Sequence, residues 1–386
     1  MKAKWTRFSL FLAGCSLSCV TALAQAPAKP KSNPALDDAM RAMFGVRAFQ
    51  QASISPDAKH VAWVESLSGS GNAPSSNSAL YIAATHSAAV RKPITAGDGK
   101  AAWEEHDLAW SADSKRIAFL SDAGSPGQLQ LFIVAASGGT PKQLTHLKGF
   151  LSAPSWSPDG KTIALLFTEN ATRASGPLVA ETPDEGVVSE DLHEERLTLV
   201  DAATSRVRQI SPTDLYVYEF DWAPDGKRLV VTAAHGSGDD NWYIASLMSV
   251  DAASGAIKTL IEKPGRQIAQ PHWSPDGKKI AFIGGLMSDE AIVGGDIYSV
   301  AADGGELSNL TPDMKFSASS LNWSADSSHI IFAGIVDGGT GIARLDLAEN
   351  KIVERWRGDE RVADTAYDSS ISLSADGNTS AVVRES

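Results

Sequence analysis

The chain has 386 residues, 43% hydrophobic and 21% charged, a balance ordinary for a soluble protein with room for one large domain or two small ones. Its formal charge of −12 argues against nucleic acid or anionic lipid as partners. Its two cysteines, Cys15 and Cys19, both lie in an N-terminal segment expected to be removed, so disulfides, thiol catalysis and cysteine metal sites are excluded together, and no cofactor or metal-ligand set is recognisable.

That segment, residues 1–24, reads as a signal peptide. Lys2, Lys4 and Arg7 precede an apolar stretch over 8–23, which ends on the small-residue run Ala22-Leu23-Ala24. The stretch is short for a membrane span and is diluted by Ser, Thr, Gly and Cys. An exported periplasmic or secreted protein is expected, with the charge moving to −15 once three basic residues are lost. The alternative is a lipoprotein anchored through Cys15, because Leu12-Ala13-Gly14-Cys15 resembles the bacterial lipobox. Residues 25–47 follow as a Pro-rich linker and a short helix, with Asn33 as N-cap, Pro34 at the first position and Gly45 past the end. Leu36, Met40 and Met43 or Phe44 would share one face, to pack on the first blade or to dock elsewhere.

From residue 48 one phrase recurs seven times: Trp-Ser-Pro-Asp-Gly-Lys and then an apolar run, clearest at 156–161 and 273–278. Its aspartates are Asp57, Asp113, Asp159, Asp225, Asp276, Asp326 and Asp376, spaced by 56, 46, 66, 51, 50 and 50 residues, a period that points to a propeller or solenoid. The tetrad is a turn: proline presets φ, aspartate bonds its own backbone, and glycine accepts a left-handed conformation. A strand enters on the tryptophan and returns on runs such as Ile117-Ala118-Phe119 and Ile280-Ala281-Phe282. Third strands follow near 129–134, 197–200, 247–250 and 297–300, and fourth strands after Gly- or Asp-rich turns. Four strands per repeat make one propeller blade.

The expected fold is therefore all-β: a seven-bladed propeller over 48–386, with six complete four-stranded blades at about 48–104, 105–150, 151–215, 216–267, 268–315 and 316–366. The seventh blade, 367–386, is incomplete, which predicts an open ring with an unpaired edge at 380–384 and a tendency to aggregate. The seven aspartates sit in separate blades and read as turn residues rather than as a metal site. The five motif tryptophans Trp110, Trp156, Trp222, Trp273 and Trp323 occupy a place held by Ile54 and Leu373 in the other copies, which reads as packing between blades.

Three insertions break the repeat. The first, 171–194, ends on Glu194-Glu195-Arg196 and runs into a strand, so a solvated strand start is expected there. The second, 235–243, places Asn241 beside Trp242 and Tyr243; acid and aromatic side chains there could hold an ammonium group, or the aromatic could plug the space between blades. The third, 284–295, carries Asp289 and Glu290 between glycines, as a lid-like loop or as ordinary exposed surface. Asn241, Trp242, Asp289 and Glu290 are the candidate substrate contacts.

The repeat is shared with the propeller protein of the bacterial Tol system. Longer phrases are more specific: Met43-Phe44-Gly45-Val46-Arg47, Tyr218-Glu219-Phe220-Asp221-Trp222, Asp240-Asn241-Trp242-Tyr243-Ile244-Ala245 and Ile283-Gly284-Gly285-Leu286-Met287-Ser288-Asp289-Glu290. Together they resemble the N-terminal propeller of the prolyl oligopeptidase family of serine peptidases, nearest its dipeptidyl aminopeptidase and acylaminoacyl peptidase branch. The resemblance implies a substrate-gating propeller acting on peptides, followed by an α/β-hydrolase domain with a Ser, Asp and His triad. It also implies that paired glutamates could hold a substrate amine, but Glu194-Glu195 lacks the aromatic partners of that motif. No Gly-x-Ser-x-Gly occurs in the 386 residues and the eight histidines are scattered, so no catalytic residue is assigned and the chain alone is expected to be inactive. The alternative is a non-enzymatic periplasmic propeller that binds proteins.

Overall fold

Short apolar runs separated by Ser-Pro-Asp-Gly turns can bury their side chains only by stacking sheet on sheet, and the chain does so six times. The computed structural model describes residues 34–44, 48–67, 77–86, 91–96, 103–171, 193–236, 239–262, 265–287, 293–363 and 370–385. Six four-stranded antiparallel sheets cover 49–93, 105–143, 149–209, 215–261, 267–309 and 317–358, here blades 1 to 6, each with its strands hydrogen-bonded in chain order. Their first strands are Phe49–Ile54, Glu105–Trp110, Gly149–Trp156, Leu215–Trp222, Gln267–Trp273 and Ser317–Trp323; those of blades 1 to 3 and of blades 4 to 6 pack consecutively against one another, and that of blade 4 packs on the third strand of blade 3, Glu195–Asp201. They form the inner wall of the ring, while the short fourth strands lie outside.

The expected seven blades are corrected to six. Beyond blade 6 the seventh copy of the phrase makes, among the described residues, two short pairings, Arg361–Ala363 with Val383–Glu385 and Ser372–Leu373 with Ser380–Ala381. A blade needs four strands in succession, and this unit supplies a hairpin two strands wide. The hairpin is nevertheless seated in the ring. Val362, Ile371 and Leu373 pack with Ala333 and Ile331 of blade 6, and Ala381 packs with Ala52 and Ile54 of blade 1. Ser372 Oγ accepts from the Ile54 amide at 3.1 Å, and the Ala375 amide donates to the Pro56 carbonyl at 2.9 Å.

The core consists of interfaces. One buried cluster joins Val64 and Leu80 of blade 1 to Ile117, Phe119 and Phe132 of blade 2, and others join blades 2 and 3, 3 and 4, and 4 and 5 in the same way. The motif tryptophan belongs to this joint. Trp110, Trp156, Trp222 and Trp323 each donate their indole N–H to a carbonyl of the preceding blade, those of Ser53, Ala109, Ser155 and His272, at 3.0–3.2 Å. The Arg116 guanidinium of blade 2 lies 4.4 Å over the Trp156 ring, and Arg228 of blade 4 lies 5.0 Å over Trp273. Trp273 departs from the pattern. Its indole N–H has no partner, and its backbone amide donates instead to the Asp221 carboxylate at 2.9 Å.

Each turn is locked from within. The tetrad serine donates to the aspartate carboxylate at 2.6–2.8 Å in six of the seven copies, and the aspartate accepts the amide two residues on. The residue after the aspartate is left-handed in every copy, φ 60–70°, which is why glycine stands there in four of them. Ser114 and Ser327 tolerate that conformation and use their hydroxyls to accept the Asp57 and Asp276 amides of the preceding turn at 3.0 Å.

The helix Pro34–Phe44 carries Asp37 in its first turn, a favourable charge at that end. Leu36, Met40 and Met43 are exposed, so this apolar face is not packed on blade 1.

Blade 4 is the copy that lacks the serine; Ala223 stands in its place, buried like Ser55, Ser111, Ser157, Ser274 and Ser374 of other copies. Ala223→Ser restores a donor to Asp225 and an acceptor for the Arg228 amide, and is expected to raise the unfolding free energy by about 1 kcal/mol. Urea unfolding of the two proteins checks this; a lower midpoint for the variant would show that the hydroxyl does not fit.

Candidate functional site

Three places could carry chemistry: the inner wall, the outer turns and the edge between blades 4 and 5. The inner strands are each interrupted by a bulge, left-handed at Asp107, Ala153 and Gln270 (φ 50–54°). Preceding blades pin these bulges with side chains. Gln51 accepts the Leu108 amide at 2.8 Å, Asp107 accepts that of Ala153 at 3.1 Å, and Glu219 accepts that of Gln270 at 3.0 Å. The carboxylates of the inner wall are therefore engaged in holding neighbouring blades together.

Two histidines lie against them. His106 Nδ1 is 3.1 Å from Asp107, with Glu104 and Asp122 near, and His272 Nδ1 is 3.5 Å from Asp221, with Glu219 near. Burial acts to lower both imidazoles, but the neighbouring carboxylates outweigh it and both titrate above the ordinary histidine value. Burial pushes the Asp107 carboxyl up, and the His106 charge more than compensates, leaving it low. These are ion pairs that stiffen the wall, and both imidazoles are paired with carboxylates. Among the described residues no three His, Cys, Asp or Glu side chains gather as a metal site.

The outer turns hold a Ser–His–Asp contact. Ser328 Oγ is 2.5 Å from His329 Nδ1, and His329 Nε2 is 3.0 Å from Asp346. Ser328, however, occupies the lysine place of the sixth phrase and also donates to Asp326 at 2.7 Å. Its hydroxyl and its backbone amide are both bound to the turn aspartate of its own phrase, which holds the serine in the turn and not at an open site. This contact is a turn lock, not a catalytic triad.

At the edge between blades 4 and 5, a 3-10 helix, Asp239–Ile244, folds back on its blade. Trp242 is fully buried among Tyr216, Tyr218 and Ala269, and Asn241 Nδ2 donates to the His235 carbonyl at 3.3 Å. Trp242 thus acts as the anchor that turns its neighbours outward. Tyr243 is 39% and Ile244 64% exposed, and opposite them Leu286 is 93% exposed. With Gly265, Arg266, Gln267 and Gly285 these three enclose a recess of about 790 Å3. Asp289 and Glu290 lie outside the described residues. Just past the first insertion, Glu195 corrects the expected solvated start: it is 5% exposed and accepts from Ser152 Oγ at 3.2 Å, because the strand Glu195–Asp201 enters the interior at that residue. Sequence reasoning missed Arg266 and Gln267. The signal available was the pair Gly284-Gly285 and Gly294-Gly295, which lets backbone approach where any Cβ would collide with a neighbouring carbonyl or side chain.

No protein-family profile matches the chain. Dipeptidyl-peptidase 5 of Porphyromonas gingivalis is 24% identical over 321 residues, covering 73% of this chain and 44% of that protein. The Tol-Pal system protein TolB of Francisella tularensis is 25% identical over 199 residues, covering 50% of this chain and 39% of that one. A solved prolyl endopeptidase superposes with a TM-score of 0.65 at 15% identity, over 93% of this chain and 49% of its own. The chain therefore matches less than half the length of these peptidases, over their propeller region.

The charges set a pH window. His106 and His272 bind protons more tightly folded than unfolded, so their stabilisation is complete below about pH 6.5 and is lost as pH rises through their raised values. Hydrogen bonds from the tetrad serines, joined by Ser328 at Asp326, hold Asp57, Asp113, Asp159, Asp276, Asp326 and Asp376 below the usual carboxylate value, so theirs is present above about pH 3.8 and lost as pH falls. Thermal midpoints measured from pH 3 to 9 are expected to plateau between those limits, and Asp107→Asn is expected to flatten the alkaline fall. An unchanged alkaline limb in that variant would remove His106 from the account.

Proposed function

We propose that this chain, a homologue of the prolyl oligopeptidase-family peptidases over its propeller, is the substrate-gating part of an exported serine peptidase that acts on peptides. The observation that carries the reading is the sequence relation to dipeptidyl-peptidase 5 across 73% of the chain, coinciding with a ring of six blades. The Ser, His and Asp of hydrolysis lie outside this chain in this reading, which agrees with the lack of Gly-x-Ser-x-Gly in its 386 residues. The propeller contributes selection. Its inner wall is held rigid by bulge pins and ion pairs, and peptide contact falls to the edge between blades 4 and 5. There Asn241 and Trp242 act as positioning residues that present Tyr243 and Ile244, and Asp289 and Glu290, next along the chain from Leu286, meet the peptide's charged amine.

The purified chain is expected to release no 4-nitroaniline from dipeptidyl or acylaminoacyl 4-nitroanilides, and to take no label from a fluorophosphonate probe. Label on any of its serines would overturn the assignment of catalysis elsewhere.

A second reading is a propeller that binds proteins without cleaving them, favoured by the relation to TolB over half of the chain. A stable complex with an intact folded protein, surviving gel filtration, would support it over peptide gating.

Export is proposed from the charged, apolar and small-residue order of residues 1–24. N-terminal sequencing of the protein recovered from the periplasm is expected to start at Gln25. A lipid-modified start at Cys15 would identify the lipoprotein instead.

A further inference from the structure

The recess between blades 4 and 5 is one-sided in its chemistry. Among the described residues its polar side chains offer donors and no carboxylate: the guanidinium of Arg266 and the side-chain amide of Gln267. Gln267 is 5% exposed, and its Oε1 accepts the Met287 amide at 2.5 Å, which fixes the orientation of the group. Its Nε2 is therefore a donor, and that donor is buried with no hydrogen-bond partner. A buried donor left unpaired is costly and calls for an acceptor.

Arg266 is built into place. Its guanidinium lies 4.4 Å over the ring of Tyr298, and Nη1 donates to the Tyr298 hydroxyl. That hydroxyl also accepts from Asn309 Nδ2 at 3.1 Å. Gly284 makes the arrangement possible: a Cβ there would stand 2.8 Å from Arg266 Cδ and 2.9 Å from Tyr298 Cδ2. Among the described residues no carboxylate pairs with Arg266, so its remaining N–H groups are available to an anion. The facing wall is apolar, formed by Tyr243, Ile244 and Leu286, and large side chains so exposed and so grouped mark a surface that receives something apolar.

We infer that this recess binds the free carboxyl end of a peptide whose last side chain is large and apolar. The carboxylate meets Arg266 and Gln267 Nε2, and the terminal side chain lies on Tyr243, Ile244 and Leu286. A volume of about 790 Å3 is of the size of small-ligand sites and holds the last two or three residues of a peptide. A carboxylate fits better than a backbone carbonyl, because a guanidinium fork with a second converging donor matches two acceptor oxygens bearing charge. The inference deepens the peptide-gating reading and rests on it.

The test is fluorescence anisotropy with N-terminally fluorescein-labelled Gly-Ala-Ala-Ala-Phe, as the free acid and as the C-terminal amide. The acid is expected to bind at least about 10-fold more tightly than the amide, the effect of a charge-assisted pair. Arg266→Gln and Gln267→Glu are each expected to bring the acid to the level of the amide; the latter keeps the acceptor for Met287 while removing the donor. Leu286→Ser, at a fully exposed place where folding is not at stake, is expected to weaken both forms by about 3- to 10-fold, as for a lost apolar contact. Equal binding of acid and amide by the unaltered protein overturns the inference and leaves peptide gating standing, as does an acid preference that survives Arg266→Gln. Binding of neither form, nor of a mixed peptide library, overturns the gating reading and the inference together.

Discussion

The joint between neighbouring blades is the interaction on which the rest of this structure depends. Each blade is a small sheet with too little apolar surface to be stable alone, and among the described residues each core cluster crosses from one blade to a neighbouring blade or to the terminal hairpin. The joint has two parts. Burial of branched and aromatic side chains drives association without direction, and directed hydrogen bonds set the angle. Four motif tryptophans reach back to a carbonyl of the preceding blade, and bulge amides are accepted by Gln51, Asp107 and Glu219 from behind. Because the joints repeat a similar geometry, with Trp273 the exception in its hydrogen bond, small rotations add up to a ring. The terminal hairpin closes it by filling the gap between blades 6 and 1 with half a blade's width.

That use of polar groups constrains where recognition can occur. The carboxylates and histidines of the inner wall look like a functional cluster by residue type, yet their partners are structural: an amide of the next bulge or a histidine beside it. The turn aspartates are likewise satisfied within their own tetrads. At the edge of blades 4 and 5 a buried amide donor without a partner, an arginine held flat on a tyrosine and three exposed apolar side chains converge. Trp242 connects the two roles. It is buried as a core residue, and by being buried it determines that Tyr243 and Ile244 face outward.

Much of the fold was legible in the sequence because its signals are local. Ser-Pro-Asp-Gly specifies a turn through φ values and one side-chain hydrogen bond, and the helix Pro34–Phe44 begins on the expected proline. The third strands fall where the apolar runs place them. The failures were non-local. Seven phrases suggested seven blades, but a phrase marks a hairpin, and the described residues around the last copy form two short pairings instead of a four-stranded sheet. Glu195 follows a long polar insertion and so suggested solvent, whereas the strand that begins there enters the interior at once.

The sequence by itself determined the repeat, the turn chemistry, the all-β class and the equivalence of the tryptophan positions. Each of these depends on residues adjacent in the chain, whose torsions and hydrogen bonds need no distant partner. Only the tertiary structure decided the number of blades, the commitment of Asp107 and Glu219 to neighbouring blades, and the meeting of Tyr243, Arg266, Gln267 and Leu286 around one recess. Those depend on which blade lies against which, because a side chain's role here is set by what the adjacent blade leaves for it to bond.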